Sequence, residues 1–222
     1  MGSKKVIAID GPSGAGKSTI ARLLSERIGF YYLDTGSLYR ALGVYLSELG
    51  INEDDSDEVI KTSLSAVEIR YDGSRVILNS IDYGEKIRTP LAGHLASVFS
   101  ARQVIRDYLL DYQREFGSNY NVVAEGRDMT TVVFPDAWRK FYIDASQEIR
   151  AMRRFRQMLD MGKPITYEES LKDVILRDER DKNRKIAPLR IADNAIYIDT
   201  THLTIDNVID RLIYHCAERE DL

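Results

Sequence analysis

Apolar positions in this chain fall in short unbroken runs, separated by longer stretches with helical spacing. Val6-Ile7-Ala8-Ile9 is the first run and stops at Asp10-Gly11-Pro12, the pattern of a buried strand opening into a loop. From Ser18 to Ile28 the apolar residues Ile20, Leu23, Leu24 and Ile28 share one side, and Gly29 supplies a helix stop. Phe30–Leu33, Val122–Ala124, Phe141–Ile143 and Ala195–Ile198 repeat the strand-like pattern. Most runs end in an acid: Asp10, Asp34, Glu125, Asp144 and Asp199. Short apolar strands alternating with helices predict an α/β fold, a five-stranded parallel sheet core with helices on both faces. Ligands of such sheets gather at the carboxyl ends of the strands, where these acids and the loops fall.

Residues 66–78 depart from that rhythm. Ala66–Tyr71 alternates apolar and polar, Asp72-Gly73 is a hairpin turn pair, and Ser74–Leu78 returns. A small antiparallel insert over residues 60–90 is expected, within a single domain spanning 1–222. Residues 146–161 are rich in Arg and Met and end at Gly162-Lys163-Pro164. They read equally as a mobile helical flap or as a packed amphipathic helix.

Composition narrows the function classes. The 31 basic and 35 acidic residues give a net charge of −4, without the basic footprint of bulk nucleic-acid binding. Hydrophobic residues at 44% and charged at 30% describe a globular protein. Cys216 is the only cysteine, which excludes an intrachain disulfide and suits a reducing compartment. No apolar run has the length of a membrane span, and Met1–Lys5 leads into the first strand without a secretory signal. A cytoplasmic protein with neither nucleic acid nor membrane as partner is expected. Of the basic residues 21 are Arg, the forked donor suited to carboxylates and phosphates.

Gly11-Pro12-Ser13-Gly14-Ala15-Gly16-Lys17-Ser18-Thr19 fits G-x-x-x-x-G-K-[ST] and lies between a strand and a helix, as a P-loop must. Its glycines let backbone N–H groups turn inward around phosphate oxygens, and the helix start adds its dipole. Lys17 would reach the β and γ phosphates of ATP, and the Ser18 hydroxyl would hold Mg²⁺. The motif implies a nucleoside triphosphate without naming the acceptor.

Three later clusters bear on the acceptor. Asp34-Thr35-Gly36-Ser37-Leu38-Tyr39-Arg40 follows the second strand, and Glu125-Gly126-Arg127-Asp128 follows the third. Arg177, Asp181 and Arg184 are spaced four and three apart, on one helix face. By itself the last cluster also reads as a surface salt-bridge ladder. Lys17, Arg40, Arg127, Arg177 and Arg184 together suit more negative charge than one triphosphate brings. A phosphate acceptor is already anionic near neutral pH and needs no base to attack, only cations to cancel repulsion. A surplus of Arg over candidate bases therefore favours a nucleoside monophosphate kinase. The rivals are a P-loop kinase for another monophosphate or small molecule, and a P-loop switch that moves a macromolecule by hydrolysis.

Taken together, GPSGAGKST, LDTGSLYR, Ile87-Arg88-Thr89-Pro90, EGRDM with VVFPDA, RDERDKNR with Ile186-Ala187-Pro188-Leu189, and IDTT resemble the bacterial cytidylate kinase family over nearly the whole chain. The resemblance implies three parts: a core (about 1–35, 91–145 and 163–222), a monophosphate-binding part with the hairpin insert (about 36–90), and a lid (about 146–162). It implies transfer of the γ-phosphoryl group of ATP to CMP or dCMP, by a monomer. It implies that Arg40, Arg127 and Arg184 grip the CMP phosphate, Arg177 sits near the transferring group and Asp181 takes the sugar hydroxyls. Ser97, Arg106 and Asp128 would read cytosine, and Thr35 and Tyr39 would line the acceptor pocket. Thr130 and Ser37 stand where the family commonly has Gly and Ala.

Overall fold

The computed structural model describes residues 4–73 and 75–217. Met1–Ser3 of the expected leader-free start and Ser74 of the expected hairpin lie outside them. In chain order the elements are β1 (Val6–Asp10), α1 (Lys17–Ile28), β2 (Tyr31–Asp34), α2 (Thr35–Glu48), α3 (Asp57–Leu64), β3 (Ile69–Tyr71), β4 (Val76–Leu78) and β5 (Ile81–Asp82). Then follow α4 (Pro90–Phe99), α5 (Gln103–Asn119), β6 (Val122–Glu125), β7 (Arg139–Asp144), α6 (Gln147–Asp160), α7 (Tyr167–Asn183), β8 (Ile196–Asp199) and α8 (Ile205–Ala217). The chain forms two compact units. Residues up to Tyr32 and from Tyr120 onward make the first, and Leu33–Asn119 the second, which takes in α4 and α5 as well as the hairpin.

The first unit carries the large sheet, ordered β2-β6-β1-β7-β8. β1 pairs in parallel with β6 (Ile7 opposite Val123) and with β7 (Ile9 opposite Phe141), and β7 pairs in parallel with β8. All five expected strands are present. One face presents Ile7, Ile9, Val123, Phe141, Ile143 and Ile198 to Ile20, Ala21 and Leu24 of α1 and to Val208, Ile209 and Leu212 of α8, all buried. Alternation sends Ala8, Ala124 and Tyr142 to the other face, where they are buried too. Burial on both faces explains the apolar runs of the inner strands β1 and β6, whereas the edge strands β2 and β8 leave Tyr31 and Tyr197 about half exposed; β1 lies centrally with its last residue, Asp10, fully buried.

In the second unit α2 begins where β2 ends. Asp34 caps it, accepting from Ser37 N at 3.0 Å. α2 packs against α4, with Gly43 facing Leu95 and Ala96, and α3 packs against α5. The expected hairpin pairs Tyr71 with Val76, closed by Asp72 N to Arg75 O at 3.3 Å. A third strand, β5, extends it through a turn at Asn79 and Ser80, both at positive φ (48° and 67°). Tyr83, 1% exposed, follows β5 and donates to Glu48 Oε2 at 2.7 Å, fastening the insert to α2.

Candidate active site

The loop between β1 and α1 is held in a shape only this sequence permits. Gly11 has φ 151°, and a Cβ there would lie 1.9 Å from the Ile143 carbonyl oxygen. Gly14 has φ 77°, and its Cβ would meet Arg150 O at 3.0 Å. The loop therefore rests directly on β7 and α6. Gly16 takes the N-cap position of α1 with no side chain bonded to the cap, so the helix start presents its N–H groups as an anion site. Lys17, 5% exposed, folds back to donate from Nζ to Pro12 O at 2.7 Å. Burial, and then the Arg127 charge, push this ammonium down to about 7. Ser18 and Thr19 stand exposed on the first turn of α1.

Ser18 Oγ donates to Glu125 Oε1 at 2.6 Å, and Tyr32 OH donates to the same oxygen at 3.3 Å. A hydroxyl and a carboxylate joined by one hydrogen bond beside a phosphate cradle are oxygen donors of the kind a hard divalent cation takes, alongside phosphate oxygens and water. The residues present thus fit Mg²⁺, with Ser18 as the expected ligand and Glu125 next to it.

A cationic cluster follows β6. Arg127 Nε donates to Asp181 Oδ2 at 2.7 Å. Burial opposes the charge of Asp181, but Arg127, Arg177 and Arg184 hold its carboxyl below the usual range. Burial likewise opposes the charge of Arg127, which Asp181 and Glu125 more than offset. The i, i+4 and i+3 spacing at α7 therefore sets Arg177 and Arg184 beside one buried acid, Arg127 joins them from the loop after β6, and the cluster is not a surface ladder. Arg184 closes α7, donating from Nε to Ala187 O at 2.7 Å and from Nη2 to Asp128 Oδ1 at 3.5 Å. Asp128 is 2% exposed. Next to it Asp10 accepts from Met129 N (2.8 Å), Thr130 N (2.7 Å) and Thr130 Oγ1 (2.6 Å). Burial pushes the Asp10 carboxyl up to about 6.

The remaining expected residues belong to the second unit. Thr35 is buried at the first position of α2. Arg40 donates from Nη2 to Asp34 Oδ2 at 3.0 Å and to Ser37 Oγ at 2.8 Å, and Ser37 Oγ in turn donates to Asp34. Arg106 is 6% exposed on α5, donates to Ser100 O at 3.2 Å, and stacks its guanidinium over the Tyr39 ring at 5.6 Å. Ser97, half-buried on α4, accepts from Ser100 Oγ through its carbonyl at 3.2 Å. Sequence spacing singled out neither Asp10 as a loop anchor nor the Arg150–Asp178 pair described below. The only signal was the acid at the end of β1.

A strand, a glycine loop that turns N–H groups to a helix start, a lysine within the loop and a flanking set of guanidinium groups define a P-loop phosphotransfer class. The sequence model of the cytidylate kinase family matches residues 7–218. A cytidylate kinase of Thermodesulfovibrio yellowstonii is 49% identical over 219 residues, 97% of this chain and 99% of its own. One of Thermosipho melanesiensis is 46% identical over 213 residues, 96% of this chain and 97% of its own. The chain belongs to the cytidylate kinase family. A solved structure of an uncharacterized protein from Eubacterium ventriosum shares the fold, at TM-score 0.55 and 13% identity over 97% of this chain and 99% of that one. No helix among the described residues is long and apolar enough to cross a membrane.

Proposed function

We propose that this chain transfers the γ-phosphoryl group of ATP to CMP and dCMP, yielding ADP with CDP or dCDP, as a cytoplasmic monomer. The observation that carries this reading is the set of Arg127, Arg177 and Arg184 around Asp181, beside the loop that holds Lys17. Two polyanions brought together need fixed cations and no general base. The loop N–H groups and Lys17 hold the ATP phosphates, with Lys17 exchanging Pro12 O for phosphate oxygens. Ser18, with Glu125 adjacent, would hold Mg²⁺, which would supply neutralising charge to the phosphates. Arg40, Arg127 and Arg184 take the acceptor phosphate, Arg177 the transferring group, and Asp181 the sugar hydroxyls.

Cytosine presents an N4 amino group, which the Asp128 carboxylate accepts, whereas uracil would oppose it with an oxygen. Arg106 donates to O2 and N3, with Ser97 beside it in the base-reading set, while Thr35 and Tyr39 line the acceptor pocket. The test supplies ATP and magnesium with CMP, dCMP, UMP, AMP or GMP and follows ADP release. Turnover with CMP and dCMP well above the others is the expected result. Hydrolysis independent of any monophosphate would replace this reading with that of a P-loop switch.

A further inference from the structure

The outer rim of the phosphate loop is docked along α6 by a buried ion pair. Arg150 is 3% exposed and Asp178, on α7, is also 3% exposed. Their contact is bidentate, Nη2 to Oδ2 at 2.6 Å and Nη1 to Oδ1 at 3.0 Å. The same Nη1 donates to Ser13 O at 3.0 Å, and Nε donates to Ala145 O at 2.9 Å. Nearly one turn on, Arg153 donates to Ala15 O at 3.2 Å while its other amino group binds Thr200 O at 2.9 Å. Gly14 sits between these two contacts, against the backbone of Arg150 itself. Arginines of α6 thus hold the loop carbonyls from outside, at Ser13 and Ala15, and Lys17 holds Pro12 O.

A loop whose N–H groups must point at phosphate has to turn its carbonyls outward, and outward carbonyls need donors. We propose that Arg150 is a positioning residue for ATP: braced by Asp178, it fixes the Ser13 carbonyl so that the loop N–H groups stay aimed inward. Its guanidinium is thus spent on the loop's carbonyls and on Asp178, and the first turn of α6 belongs to the donor site. Asp178 follows Arg177 and precedes Asp181, so the same pair ties the donor loop to the helix carrying the acceptor cations. A buried ion pair contributes little net stability compared with well-packed apolar residues, so stability alone does not account for this one.

The proposal rests on ATP occupying this loop, so its readout is ATP binding, which does not depend on the acceptor. Arg150→Lys keeps a buried cation for Asp178, yet an ammonium cannot span Asp178, Ser13 O and Ala145 O as the guanidinium does. The double variant Arg150→Met with Asp178→Leu replaces the pair with apolar side chains and leaves behind only Asp144, whose Oδ1 lies 3.8 Å from Arg150 Nε and whose side chain is 29% exposed to water. Calorimetric titration of both variants with ATP and magnesium, beside thermal melts, is expected to show affinity reduced about tenfold or more, equal to about 1.4 kcal/mol. It is expected to do so in whichever variant melts with the wild type, with the KM for CMP within about twofold of the wild type. Wild-type ATP affinity in either folded variant overturns the proposal. Melting far below the wild type in both variants also overturns it, because the pair would then be a requirement of folding. Failure of the wild-type protein to bind ATP, by contrast, overturns the functional reading itself.

Discussion

Two clusters of charge, one in each compact unit, are held in opposite ways. In the first, Lys17, Asp181, Arg150 and Asp178 are almost fully buried; Asp181 meets Arg127 across 54 positions and Asp178 meets Arg150 across 28, while Lys17 donates to Pro12 O within its own loop. In the second, Arg40 is more than a quarter exposed as a side chain, and its partners Asp34 and Ser37 lie within two turns of the same helix start. A buried interlocked charge cannot be removed without stranding its partner, whereas a local exposed one is replaced by water at small cost. The cluster of the first unit thus has the character of preorganised electrostatic machinery, and that around Arg40 the character of an adjustable grip.

The sharpest break in that contrast comes at Lys17. Lys17→Ala is expected to lower kcat about 10²- to 10³-fold, or about 2.7–4 kcal/mol, the cost of losing one preorganised donor. Turnover near the wild-type value would remove Lys17 from the mechanism. Next comes Asp128→Asn. A neutral amide offers either a donor or an acceptor, so the kcat/KM preference for CMP over UMP should fall by about 1–3 kcal/mol. An unchanged ratio would leave cytosine to be read elsewhere.

A smaller effect is expected in the second unit. Ser37→Ala removes the hydroxyl shared by Asp34 and Arg40, at about 1 kcal/mol, seen as a several-fold rise in the KM for CMP with kcat held. A loss in kcat equal to that at Lys17 would erase the distinction between the units. The last prediction concerns pH. Lys17 binds its proton with a pKa of about 7 in the folded protein against 10.5 ordinarily. Between those values the folded state carries fewer protons than the unfolded one, so this group's contribution to stability rises as pH climbs from about 7 to 10.5. Triphosphate beside the amine restores its charge. ATP binding at pH 8 should therefore take up a proton and weaken toward pH 9. Calorimetry in buffers of different ionisation enthalpy measures this, and Lys17→Ala should abolish it.

Much of this was readable from residues near one another in the chain. The five strands announced themselves as short apolar runs, dictated in the inner strands by burial on both faces, and the phosphate loop because its glycines, lysine and helix start are contiguous. The cluster on α7 was visible as spacing, though only the buried site of Asp181 separates it from a surface ladder. β5 went unforeseen because its turn uses Asn79 and Ser80 without a glycine. Arg150 and Asp178 are 28 positions apart, and Asp10 meets Thr130 across 120, so their partnerships exist only once helices and sheet are assembled. The two positions expected to depart from the resembled family pattern both take partners, Thr130 across the fold and Ser37 within one helix start. Thr130 gives Asp10 a third hydrogen bond, and Ser37 bridges Asp34 to Arg40.

The central claim is that the acceptor enters as an anion already suited to attack, gripped by guanidinium groups. Comparing CMP with cytidine as acceptors, at equal concentration with ATP and magnesium, tests it most directly. The account predicts rapid transfer to CMP and none detectable to cytidine. Equal turnover of the unphosphorylated nucleoside would contradict it.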